Sequence, residues 1–155
     1  LVTRGPYTIR GYYNAADKNA EAFTAAGFYR MGDIVRKRGR HVYAEGRRKD
    51  FINRGGEKIS CEEIENLILA HPHVKSAVLV GMPDPVFGER VCAFVELKRA
   101  ATLDLPTLVE HLLGLGVSKE LLPERLEVLD ELPRSSGGKI AKGQLRDAIR
   151  STLAT

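Results

Sequence analysis

From about residue 50 onward, the spacing of apolar positions alternates between helical and strand periods. Cys61, Ile64, Leu67 and Ile68 share one helical face; Ser60 followed by Glu63 predicts a capping box at its start, and His71-Pro72 its stop. The runs AVLVGM and VCAFVEL, at 77–82 and 91–97, predict two buried strands, and LEVL at 126–129 a third. Leu105, Leu108, Val109, Leu112 and Leu113 predict a second amphipathic helix. Leu145, Ile149 and Leu153 fall on one side of a last predicted helix. A few strands with helices packed on them predict an α+β domain of about 100 residues, large enough to fold as a unit.

The first 46 residues carry a different pattern. Leu1 to Thr3 predicts a strand, Ala15 to Phe23 a short helix, and Ile34–Arg36 with His41–Glu45 a hairpin across Gly39. So few apolar residues could hardly bury a core, so this piece is expected to be the end of a larger, strand-rich domain. The chain begins at Leu1 inside a predicted strand and is expected to be a fragment. Glycine and charge in EGRRKDF set the expected boundary, with domains at 1–48 and 49–155.

Composition narrows the function classes. The net charge is +4, but the basic residues alternate with acids as in GERVCAFVELK, and no aromatics interleave on a basic face, which argues against nucleic acid. No apolar stretch approaches the roughly 20 residues of a membrane span and no signal-peptide core opens the chain, so a cytoplasmic location is expected. Cys61 and Cys92 lie in apolar surroundings without metal or redox spacing, and read as buried thiols. His41, His71, His73 and His111 lack metal-ligand spacing, so no metal site is expected; Glu89 and Arg90 read as a surface ion pair.

Three polar, glycine-bearing loops remain as candidates for chemistry. In RSSGGKIAK, Pro133 and Ile140 occupy places where a phosphate-binding P-loop needs Gly and Ser or Thr, so that reading fails. What is left is a mobile glycine loop presenting Lys139, able to stabilise developing negative charge or simply to be solvated. In YRMGD, Asp33 stands just before an apolar strand, where a carboxylate can accept from two vicinal hydroxyls or bond its own backbone. The third, EGRRKDFINRGGEKIS, gathers Arg47, Arg48, Lys49, Asp50, Arg54, Gly55, Gly56 and Lys58, and by itself could be a solvated linker.

Together, GFYRMGD, GRRKDFINRGGEKIS, EEIE, HPHVKSAVLVGMPD, GERVCAFV and SSGGKIAK occur in one order along nearly the whole chain. In this the chain resembles the carboxyl-terminal portion of acyl-adenylate-forming enzymes, the superfamily of acyl-CoA synthetases, adenylation domains and luciferases. RGPYTIRGYYNAADKNAEAF and INRGGEKISCEEIENLILAHP resemble the aryl-acid AMP ligases of siderophore assembly, which act on 2,3-dihydroxybenzoate or salicylate.

The resemblance implies a small, mobile C-terminal α+β domain after the end of a large N-terminal one. It also implies a role for each matching residue. Asp33 would hold the ribose of ATP and of the acyl-adenylate, and Arg47 would assist at ribose and phosphate. Lys139 would serve adenylation. Lys49 would be the hinge, basic where many relatives carry aspartate, and Gly55, Gly56, Glu57 and Lys58 would line a pantetheine tunnel after rotation. Gly56 is the expected point where backbone approaches the thiol arm. ATP with Mg²⁺ held upstream, an aryl acid, a phosphopantetheine thiol of an aryl carrier protein and the chain's own N-terminal domain are the implied partners. The fragment alone is not expected to catalyse. Alternative readings are an acyl-CoA synthetase using free coenzyme A, or a non-catalytic carrier-protein docking module.

Overall fold

The computed structural model describes residues 1–47 and 50–153, the Glu45 side chain aside. The chain divides into two units, Leu1–Lys49 and Asp50–Thr155. In the first, β1 (Val2–Thr3) pairs antiparallel with β2 (Tyr29–Arg30), and α1 (Ala16–Ala22) lies between them in sequence with no buried residue. A hairpin of β3 (Asp33–Arg38) and β4 (His41–Arg47) follows, with a bulge after Ile34. Tyr7 and Tyr13 remain 99% and 93% exposed, so this unit holds little apolar core of its own.

The second unit is built on β7 (Val74–Asp84) and β8 (Gly88–Leu97), a long antiparallel pair from Val74↔Leu97 to Asp84↔Gly88. Along them the side chains alternate faces, as the pleat requires. Ala77 and Leu79 of β7, with Val91, Ala93 and Val95 of β8, pack against α2 (Cys61–Leu69) and α3 (Leu105–Gly114). Val78, Val80, Met82, Cys92 and Phe94 pack instead against Leu132 and against Leu145 and Ile149 of α4 (Lys142–Leu153). The period of two therefore buries the sheet on both sides. On the other edge of β8, β9 (Arg125–Leu129) pairs in parallel, a connection that needs a crossover, supplied by α3. A short hairpin of β5 (Phe51–Arg54) and β6 (Glu57–Ser60) joins the same sheet at Arg54↔Gly88.

Several expectations are corrected. Residues 51–60, part of the segment that by itself could have been a solvated linker, form this hairpin: Ile52 and Ile59 face each other across the ladder and are buried, which outweighs the charges around them. Ser60 occupies the N-cap of α2, but its side chain makes no capping bond, because the strand runs straight into the helix while Ser60 still pairs with Phe51. Asp104 caps α3 instead, accepting from the Thr107 amide at 2.9 Å. Leu113 stays exposed because one helical step carries it off the face that buries Leu112, and Leu153, the last residue of α4, is exposed as well. Glu89 and Arg90 do not pair with each other: Glu89 accepts from the Asn53 amide, and Arg90 reaches Asp84 and Glu124. Adjacent residues on a strand point to opposite faces, so the two cannot share one partner side. Among the described residues no helix is long and apolar enough to cross a membrane.

Candidate functional site

In the first unit, the antiparallel register sets Asp33, the first residue of β3, directly opposite Arg47, the last of β4. Arg47 Nε lies 3.5 Å from Asp33 Oδ1, with the arginine half exposed and the aspartate less so. The hairpin therefore brings together two residues that sequence separates by a full strand, turn and strand. A carboxylate so loosely held keeps acceptor capacity for hydroxyl donors, and the neighbouring guanidinium suits phosphate oxygens.

In the second unit, Lys139 stands on a loop with both ends anchored in the core, by Leu132 on one side and Ile140 on the other. Within the loop the backbone closes on itself. Arg134 and Ile140 form a bridge, Ser135 N donates to Lys139 O at 2.8 Å, and Gly138 N to Ser135 O at 2.9 Å. The Arg134 guanidinium adds a bond to Gly138 O, and Ala141 N donates to Pro133 O at 2.7 Å. Gly138, at φ +76°, supplies the left-handed residue that this closure needs. The ammonium is left exposed.

The turn of the β5–β6 hairpin is Gly55-Gly56, with φ of +59° and +96°, the two positive values of a two-residue primed turn. A Cβ at Gly55 would stand 3.1 Å from the Phe87 ring, whereas one at Gly56 would meet nothing within 4 Å. One side of the turn is packed and the other is bare. Glu57 and Lys58 are exposed beside it. Lys49 and Arg48 lie outside the described residues.

Sequence reasoning missed what holds this turn. Asp84 Oδ1 accepts from the Val86 and Phe87 amides in the β7–β8 loop, and its Oδ2 pairs with Arg90. The Phe87 amide bond, then those of Val86 and Arg90, hold the Asp84 carboxyl below its ordinary range despite burial. Arg90 and Arg54 both reach Glu124. The residues stand far apart in the chain, and only the aspartate-proline turn of DPVFG gave a local signal.

The cysteines supply no nucleophile. Burial pushes both thiols, Cys61 and Cys92, up to about 12. His71, His73 and His111 stack edge to face, with ring centroids 5.2 and 4.8 Å from His71. Among the described residues no three His, Cys, Asp or Glu side chains could hold a metal ion.

Residues 63–139 match the AMP-binding enzyme C-terminal domain. The chain is 48% identical over 154 residues to the 2,3-dihydroxybenzoate-AMP ligase of Bacillus subtilis, covering 99% of this chain and 28% of that protein. It is 52% identical over 151 residues to a salicylyl-CoA synthase / salicylate adenylyltransferase of Streptomyces, covering 97% and 27%. The chain thus spans little more than a quarter of the relatives it matches. The ATP-bound crystal structure of MatB from Rhodopseudomonas palustris superposes with a TM-score of 0.83 at 32% identity, covering 97% of this chain and 30% of that one. Through residues 63–139 the chain belongs to the AMP-binding enzyme C-terminal domain family, and it has the α+β fold of the C-terminal portion of adenylate-forming enzymes.

Proposed function

We propose that the chain is the working C-terminal portion of an aryl-acid AMP ligase, which activates a 2-hydroxybenzoate with ATP and passes the acyl group to a thiol. One observation carries this: about half of the residues, along almost the entire chain, are identical to two proteins named for 2,3-dihydroxybenzoate and salicylate. Both acids are 2-hydroxybenzoates.

In the first half-reaction an aryl carboxylate attacks the α-phosphorus of ATP, and pyrophosphate leaves with the electron pair of the broken P–O bond. Two anions must approach, so charge builds at the reacting oxygens. Lys139, carried on a braced loop, supplies a positive charge that needs no reorganisation when the reaction occurs. Asp33 accepts from the ribose hydroxyls, and Arg47 steadies the nucleotide beside it. In the second half-reaction a thiol attacks the acyl-adenylate carbonyl and AMP leaves. Lys139 is not needed there; the bare side of Gly55-Gly56, with Glu57 and Lys58, lines the path of a phosphopantetheine arm. Lys49 is the hinge between the two states. The acceptor is the phosphopantetheine of an aryl carrier protein in siderophore assembly, in the cytoplasm. The Streptomyces relative's name supports a second reading, with free coenzyme A as acceptor.

ATP–pyrophosphate exchange over a panel of aryl acids, run on the intact ligase and on this chain alone, tests the assignment. Exchange with 2-hydroxybenzoates in the intact ligase only is the expected result. Activity with aliphatic acids alone would refute it, and no exchange in the intact protein would leave the docking module as the better account. Comparing carrier protein with coenzyme A then fixes the acceptor.

A further inference from the structure

Two consecutive glycines cannot hold their own position, yet the Gly55-Gly56 turn is packed hard on one side. The support comes from a neutral network of two arginines and two carboxylates. Glu124 uses both oxygens: Oε1 accepts from Arg54 Nε at 2.8 Å and Oε2 from Arg90 Nη1 at 2.7 Å. Both guanidinium groups lie over the Phe87 ring, 4.5 and 5.2 Å from its centroid. Phe87 in turn abuts Gly55, and its carbonyl accepts from the Gly55 amide at 2.7 Å. Arg90 is also tied to Asp84, which shapes the loop bearing Phe87. Glu124 itself is pinned to β8 by its amide, which donates to Val91 O at 2.9 Å.

We infer that Glu124 is a positioning residue for thiol transfer, fixing the Gly55-Gly56 turn through Arg54, Arg90 and Phe87. This rests on the proposed role of that turn. The network's charges cancel, so it is not an anion site; what it provides is geometry. Replacing one carboxylate oxygen by an amide nitrogen leaves one guanidinium without its acceptor and lets the turn drift into the space the thiol arm requires. The residue acts at a distance from the reacting atoms, so its signature is a raised KM for the thiol rather than a general loss.

The test uses the intact ligase. Glu124→Gln should raise the KM for free pantetheine about tenfold in transfer from preformed aryl-adenylate, the scale of one charge-assisted hydrogen bond. Its ATP–pyrophosphate exchange should stay within about twofold, while amide hydrogen exchange in the peptide 51–60 speeds up. Arg54→Lys, which keeps the charge over Phe87 but loses the planar fork, should repeat the pattern and stands in if Glu124→Gln does not fold. An unchanged thiol KM, or equal loss in both half-reactions, would overturn the inference. Gly56→Leu separates the two layers. If it blocks transfer while Glu124→Gln and Arg54→Lys do not, only the positioning role falls; if it leaves transfer intact, the turn does not line the thiol path and both readings fall.

Discussion

The Glu65 carboxylate on α2 lies 2.8 Å from the Lys142 ammonium at the start of α4, although 77 positions separate them. The same Glu65 oxygen accepts from the Leu79 amide at 2.7 Å. Leu79 belongs to β7, an edge strand whose outward amide would otherwise lack a ladder partner. One side chain therefore closes the open edge of the sheet and joins helices that pack on its opposite faces. It also steadies the foot of the loop that carries Lys139, since Lys142 follows immediately after it.

Glu65→Ala strands both donors, and should cost about 1–3 kcal/mol of stability, the usual penalty for leaving a partly buried polar group unpaired. Lys142→Met should cost less, because the Leu79 bond survives. Urea unfolding of the two single variants and the double variant checks this, and a coupling energy near zero would show that the pair does not act together.

Lys139→Ala in the intact ligase should slow adenylation about 10²–10³-fold, the range for removing one preorganised charge-stabilising group. Thiol transfer from preformed aryl-adenylate should be nearly unchanged, because rotation at the Lys49 hinge would by then have carried the lysine away from the reacting oxygens. Single-turnover assays of each half-reaction decide the matter. Equal loss in both would assign the loop a structural rather than a chemical role.

Asp33→Asn separates binding from folding. The Asp33–Arg47 pair is partly exposed and 3.5 Å long, so losing it should change stability by less than about 1 kcal/mol. A ribose held by the carboxylate would nonetheless lose its charged acceptor, raising the KM for ATP about tenfold or more. Titration of ATP against the exchange rate, beside a melting curve, distinguishes the two effects.

How much of this could be read from sequence depends on how far apart the interacting residues lie. Short, mostly apolar runs located β7, β8 and β9, because such runs are written in neighbouring positions; what covers each face was hidden, because nothing local says that Cys92 and Phe94 meet Leu145. The β5–β6 hairpin was missed for the opposite reason. Only Ile52 and Ile59 point inward, and the charges beside them outweighed Gly55-Gly56, a turn signal strong enough to have found it. Asp33 and Lys139 stood out as candidates from loop chemistry, whereas Glu124 gave no signal: its partners Arg54 and Arg90 come together only through the tertiary fold.

His71 yields a pH-dependent prediction. Its ring is buried, its Nδ1 accepts from the His73 amide, and His73, His111 and Lys98 stand near it. Burial first, then the charges of His111, His73 and Lys98, lower its pKa from the ordinary 6.5. The folded state therefore binds its proton less readily than the unfolded chain, so this contribution to stability is intact above 6.5 and is lost as pH falls through the lowered value. Urea midpoints should therefore decline as pH falls below about 6.5. His71→Asn keeps an acceptor for the His73 amide while removing the titrating ring, so its midpoint should fall less across the same range. An identical slope in both proteins would place the proton uptake elsewhere.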